Sequence, residues 1–337
     1  MTSITRYQAT LKVGDQSYPA YELRSLLRFV AQRFGPECAD RLCADIGLGM
    51  NELAEMSFVY VWQVDYAMAY LAGLDNDPQI GAKLGETYCL EALELIWPYL
   101  AKCKTLGDCL EFVIAHPELV GSVSDTLVTH KAQQLYFRWL NTGKISAPHF
   151  ALQFQNSVCS MLALARQLTG QHVKLERVLL ATPEHECQFL TQFCQAEVSF
   201  NHEFFEWAIA HQALELPIIY DFSRISSDEQ ALHETSLIEK VLAILNEGFP
   251  QTPKLELMAL RLNMSDRTLR RHLANAGTSY QKLVDQVRCQ TAIGLIVQGN
   301  KSIVDIADIM GFSDVSHFRQ SFKHWLGLPP GQFIRKI

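Results

Sequence analysis

The last hundred residues of the chain repeat one pattern of helices and turns, and this repeat restricts the fold more than any other feature. Ala259, Leu262 and Ser265 recur 48 positions later as Ala307, Met310 and Ser313. Beyond the turn the offset becomes 49, so Leu269, Arg270, Arg271 and Leu273 match Phe318, Arg319, Gln320 and Phe322. Each copy reads as a helix-turn-helix unit, and two such units set two helices into neighbouring turns of one DNA groove.

The residues at the turns suit that geometry. A sharp reversal between helices needs a residue with positive φ, which Gly adopts without a Cβ clash and Asn tolerates; the two sites hold Gly311 and Asn263. Ser265 and Ser313 follow as predicted side-chain caps. At 100° per residue, Leu269 and Leu273 share one face of the first second-helix, and Phe318 and Phe322 share one face of the other. Arg267, Arg270 and Arg271 fall opposite the first pair, and Ser316, Arg319 and Gln320 opposite the second. Arginine matches guanine O6 and N7 through two parallel hydrogen bonds, and glutamine matches adenine N6 and N7. On a single helix these residues would be read as a solvated face. Their recurrence at matched positions after matched turns favours base reading.

A net charge of −7 over 337 residues argues at first against nucleic acid, but the average hides a segregation. Residues 236–337 carry 13 Lys+Arg against 8 Asp+Glu, or +5, and the rest carries 16 against 28, or −12. That is a basic DNA-contacting module on an acidic body, which phosphates would repel. No apolar run approaches the ~20 residues of a membrane span, and the first residues lack the apolar core of a signal peptide. The expected location is therefore the cytoplasm, with no membrane partner. Nine scattered cysteines without a Cys-x-x-Cys pair fit reduced, mostly buried thiols. His185, Cys187, Cys194 and His202 cluster in sequence, but their spacing matches no common zinc pattern. Neither a metal nor another cofactor is expected.

The polar stretch from Ser223 to Gln230 suggests a linker. The expected division is 1–220, an effector-sensing or dimerisation domain; 221–235, the linker; and 236–337, the DNA-binding domain. Upstream, amphipathic patterns predict helices over 21–46, 51–73, 78–97, 105–116, 147–169 and near 186–194. Strands are predicted over 121–129, 134–139, 173–180 and 197–200. The fold class is thus a mixed α/β, mainly helical N-terminal domain. It precedes an all-α C-terminal domain with two helix-turn-helix units joined by a long helix, about Ser279 to Gln298.

The segment from Ile303 to Lys323, with its Met-Gly-Phe-Ser-Asp-Val-Ser-His-Phe-Arg core at 310–319, and its continuation from His324 to Arg335 resemble the DNA-binding domain of AraC/XylS-family transcription regulators. Met264 to Leu273, with Arg288, Ala292 and Leu295 in the connecting helix, match as well. The resemblance implies base-reading roles for Arg267, Arg270 and Arg271, and for Val315, Ser316, Arg319 and Gln320. Val315 departs from the polar residues frequent at its position, so it meets a thymine methyl or nothing at all. Lys323, His324 and Arg335 are placed for phosphates, which position without specifying sequence. The implied partners are double-stranded promoter DNA and RNA polymerase, with a small-molecule effector and a homodimer contact attached to the N-terminal domain. The connecting helix would hold the reading helices ~34 Å apart. Gly294 within it is a weak point for a helix, read here as close packing on a neighbouring helix.

Residues 1–220 resemble the arabinose-binding-like N-terminal domain of family members, through Leu84-Gly85 to Trp97, Thr105 to Ile114, and Val198 to Pro217. That name does not specify a sugar. Tyr60, Trp62, Tyr66, Tyr70, Trp97, Tyr136, Phe137 and Trp139 are candidate pocket aromatics, though core packing accounts for such residues equally well. Arg24, Arg28, Lys131 and Arg138 can meet a ligand carboxylate or balance local acid; the effector site is not assigned. An interaction module without a small ligand stands beside the sensing reading. An enzyme with a DNA-binding tail would need an activated thiolate, and no nucleophile, zincin or phosphate-loop motif occurs.

Overall fold

The computed structural model describes residues 4–10, 16–122, 124–140, 147–224, 236–276 and 278–336. It opens with strand β1 (Ile4–Gln8) and the short β2 (Ser17–Pro19), followed by helices α1 (Ala20–Phe34), α2 (Pro36–Asp45) and α3 (Met50–Glu55). Strand β3 (Phe58–Tyr60) pairs with β2, and α4 (Val61–Leu74), α5 (Ile80–Glu86), α6 (Trp97–Leu100) and α7 (Leu106–Ala115) follow. A hairpin of β4 (Asp125–Lys131) and β5 (Gln134–Leu140) leads to the long α8 (Ala147–Thr169). Then come β6 (Arg177–Leu179), α9 (Gln188–Cys194), β7 (Glu197–Ser199), β8 (Phe205–Ala210) and α10 (His211–Leu214).

The main sheet has the order β1-β4-β5-β8-β6-β7, antiparallel throughout except for β6 and β7. Strand alternation divides its residues between two faces. Phe137, Trp139, Phe205 and Trp207 pack in the large core with Phe150 and Phe154 of α8. Phe137 and Trp207, directly paired across strands, stack with ring centroids 4.1 Å apart. On the other face Glu206, almost fully buried, accepts from Arg138 at 2.7 Å and from Arg177.

Several sequence expectations shift here, each for a local reason. The helix expected over 21–46 breaks where Gly35 takes φ +100° and Pro36 starts a new helix. The 51–73 pattern is interrupted by β3, and 78–97 stays α-helical only as far as Glu86. The strand expected over 121–129 begins at Asp125, and the one over 173–180 shortens to Arg177–Leu179. Strands β1 and β8 were not anticipated: β8 is buried on both faces in the middle of the sheet, Glu206 included, and so lacks the exposed alternation that marks a half-exposed strand. The linker expected at 221–235 falls, from residue 225 on, outside the described residues, after a short 3₁₀ turn at Phe222–Arg224.

Beyond it the chain is helical: α11 (Leu237–Gly248), α12 (Leu255–Arg261), α13 (Asp266–Asn275), α14 (Tyr280–Val297), α15 (Ile303–Ile309), α16 (Val315–Leu326) and α17 (Pro330–Lys336). Ser236, Ser265, Ser279 and Ser302 each accept the backbone N–H three residues on, closing the N-termini of α11, α13, α14 and α15.

Two glycines sharpen the packing. A Cβ on Gly85 would stand 2.4 Å from the Asn156 carbonyl, so α5 and α8 meet backbone to backbone. Gly294 is different: its nearest neighbour is the Tyr7 ring of β1, 3.8 Å from an added Cβ, an ordinary contact with a strand and not the tight helix packing expected. Gly85→Ala should therefore cost about 1–3 kcal/mol of unfolding free energy through overpacking, and Gly294→Ala should add roughly 0.5–1 kcal/mol through lower unfolded-state freedom. Denaturant melts of the two variants check both signs.

Candidate DNA interface and interior cavity

Helices α12 and α13 meet through a turn in which Asn263 takes φ +54°, and α15 and α16 through one in which Gly311 takes φ +73°. Ser265 caps α13, accepting the Thr268 N–H at 3.1 Å. Ser313 does not cap α16. Asp314 does, accepting the His317 N–H at 2.8 Å, while Ser313 sits one residue earlier against the Asp314 carboxylate. The second turn is one residue longer, which is why the repeat offset changes from 48 to 49 at this point. A carboxylate at a helix N-terminus is favoured by the helix dipole and by the N–H it accepts, and Asp314 is held below the usual carboxylate range by its bond to His317 N–H.

Leu269 and Leu273 of α13 are fully buried with Met258 and Ala259 of α12 and with Leu283, Val284 and Val287 of α14. Phe318 and Phe322 of α16 are buried in a separate cluster with Ala307, Met310, and Ala292, Ile293 and Ile296 of α14. Consequently Arg267, Arg270 and Arg271 are exposed on α13, and Ser316, Arg319, Gln320, Lys323 and His324 are exposed on α16. Arg335 on α17 is exposed too. Val315 is half-buried against the second cluster, leaving only part of its surface outward. Arg288, from the middle of α14, lies over the ring of Phe312 at 5.5 Å and so ties that helix to the second turn.

Inside the sheet-bearing part, two adjoining cavities lie between α8, the inner sheet face, and the segments carrying Leu93 and Val113. The first, about 120 Å³, has a polar end built from Tyr18, Tyr21, Glu22, Tyr88 and Asn156. The second, about 100 Å³, is almost wholly apolar and shares Leu93, Ile96, Val113, Met161, Leu164 and Trp207 with the first. Tyr88 donates to Glu22, Tyr18 to the Gly121 carbonyl and Tyr21 to the Leu119 carbonyl. Burial pushes Glu22 from 4.5 up to about 7, opposed by the Tyr88 hydrogen bond.

Of the candidate aromatics, Phe137 and Trp139 line the first cavity, while Tyr60, Trp62 and Tyr66 are exposed. Arg24 is committed to the Leu53 and Met56 carbonyls and to Glu94, and Arg138 to Glu206 on the opposite sheet face. Sequence reasoning missed Glu22, Tyr88 and Asn156, because only tertiary packing reveals a carboxylate turned inward on an amphipathic helix.

Comparison with known proteins agrees with this geometry. Residues 258–336 match the helix-turn-helix domain family, and residues 38–218 match the arabinose-binding domain found at the N-terminus of AraC transcription regulators. The ornithine utilization regulator of Pseudomonas aeruginosa is 24% identical over 316 residues, covering 90% of this chain and 89% of that protein. An uncharacterised HTH-type transcriptional regulator of Mycobacterium tuberculosis is 25% identical over 96% of this chain and 98% of its own length. The regulator VqsM of P. aeruginosa is 37% identical over 97 residues, which is 29% of this chain and 30% of that protein. A helix-turn-helix region behind a sheet-bearing domain of this kind defines a DNA-binding transcription regulator. The chain belongs to the family of AraC transcription regulators.

Glu22 yields a pH signature. Because its folded value lies above its unfolded one, the folded chain binds more protons between about 4.5 and about 7, and stability falls as pH rises through that window. The groups facing it are Tyr18, Tyr21 and Tyr88, none of which titrates there. Glu22→Gln should match the parent below about pH 4.5. It should gain up to ~3 kcal/mol over the parent by neutral pH, read from urea melts across the range.

Proposed function

We propose that this regulator reads a specific promoter sequence with two helix-turn-helix units. In this reading α13 presents Arg267, Arg270 and Arg271 to one stretch of major groove, and α16 presents Ser316, Arg319 and Gln320 to the next. Val315 offers at most a methyl contact, and Lys323, His324 and Arg335 hold phosphates. The observation carrying the reading is that each reading helix buries only its apolar face, on opposite ends of one helix, α14. The chain divides at 1–220, 221–235 and 236–337. The first part sets activity through a small-molecule effector, a homodimer contact, or both, and RNA polymerase is the partner on which regulation acts.

The working place is the cytoplasm; no helix among the described residues is long and apolar enough to cross a membrane. The protein is not an enzyme. In support, its whole-length relatives are regulators, and burial pushes the Cys43, Cys103, Cys109 and Cys159 thiols upward, away from the reactive thiolate.

Selecting bound fragments of the source genome with the full chain gives the target. On that target, Arg270→Ala or Arg319→Ala should cost ~1–3 kcal/mol and relax preference at particular base pairs. Lys323→Ala should weaken all sequences alike and reduce the slope of log affinity against log salt by about one. Equal losses on target and random DNA for the arginine variants would make them phosphate anchors.

A further inference from the structure

The two adjoining cavities carry an inference that rests on the effector reading and gives the effector a chemistry. Their polar end has an unusual balance of hydrogen-bonding groups. The Tyr18, Tyr21 and Tyr88 hydroxyls all donate to protein acceptors, and Asn156 Nδ2 donates to the Tyr88 hydroxyl at 3.4 Å. Around the tyrosines the capacity left over is that of acceptors: the Glu22 carboxylate and Asn156 Oδ1, a buried atom with no hydrogen-bond partner. Both side chains are more than nine-tenths buried. A buried acceptor left unpaired costs stability, and a donor supplied by an occupant removes that cost.

Charge points the same way. Among the described residues no Lys, Arg or His lines either cavity, so nothing there would compensate an anionic head group. A cation, in contrast, meets one carboxylate within a lining that includes aromatic rings. The apolar second cavity continues from the first past Met161 and Leu164 and offers only hydrocarbon and aromatic contacts. Since a cavity of ~150 Å³ takes one benzene ring, the pair of cavities admits a small head and a short tail, and nothing larger without movement.

We infer that the interior cavity is an effector site for a small primary amine with an apolar tail, its ammonium seated between Glu22 and Asn156 and its tail against Leu93, Met161 and Leu164. A lining that holds Glu22 and no cationic side chain disfavours the free carboxylates that a cation-lined pocket would select. It also disfavours sugars, whose hydroxyls would have to desolvate against the apolar half.

The test is a thermal-shift titration of the full chain with 2-phenylethylamine and hexylamine, beside phenylacetate, hexanoate and L-arabinose. Millimolar amine should raise the midpoint by a few degrees through mass action. Glu22→Gln should weaken the amine about tenfold or more, the loss of one charged hydrogen bond. Met161→Phe, which fills the shared wall and leaves the head site intact, should weaken hexylamine as well. An amine shift unchanged in both variants places the ligand elsewhere and overturns the assignment. A shift with a carboxylate or arabinose and none with amines overturns the amine class while leaving an effector-regulated protein. Silence from both amines, with DNA affinity unaltered by each, overturns the amine site and leaves the effector reading standing on its own.

Discussion

Helix α14 is the element on which the rest of the arrangement depends, because it is buried by three different partners along one length. Its N-terminal half gives Leu283, Val284 and Val287 to the cluster under α12 and α13. Its C-terminal half gives Ala292, Ile293 and Ile296 to the cluster under α15 and α16. Between them Gln290 faces the sheet, where its amide donates to the Thr10 carbonyl at 2.6 Å and to Asp125 at 3.1 Å. Each helix pair alone buries too little to be stable. Sharing one 18-residue spine, ~27 Å long at 1.5 Å per residue, lets both pairs complete a core and fixes their spacing at once.

How much of this was legible in the sequence follows from where the signal is local. Asn263, Gly311 and Ser265 are read correctly because turn and cap chemistry is decided by a residue and its immediate neighbours. The exposed arginines follow from periodicity, since Leu269 and Leu273 have to face inward. Ser313 misled because sequence alignment of the two units placed the extra residue after the turn, whereas the chain absorbs it within the turn and Asp314 takes over as cap. Strands β1 and β8 were illegible for another reason: one is an edge strand near the start of the chain, and the other is buried on both faces with Glu206 inside it, so neither shows the pattern of a half-exposed strand. Phe137 and Trp139 were among the candidate pocket aromatics, but the polar residues of the cavity could not be read at all. Glu22 sits on an amphipathic helix whose inward face also carries Leu23, Leu26 and Leu27, and nothing local distinguishes a buried carboxylate from a surface one.

Strands β1 and β4 then link the two halves of the molecule by alternation alone. Gln8 and Thr126, paired across the strands, line the first cavity. Their neighbours Tyr7 and Leu127, also paired, pack on the opposite side with the cluster that includes α14 and α16. Asp125, 1% exposed, closes this wall by accepting from the Tyr7 hydroxyl and the Thr10 N–H, each at 2.7 Å, as well as from Gln290. A carboxylate so placed is stable only while its donors stay within hydrogen-bond reach, because an uncompensated buried charge costs several kcal/mol or more. A shift of β1 relative to β4 therefore has to carry α14 with it or break that set of bonds. An occupant of the cavity that moves Gln8 and Thr126 would act on the same strand pair that holds α14 through Asp125 and Thr10. Differential contact with two arrangements of this strand pair is what coupling between its two faces requires.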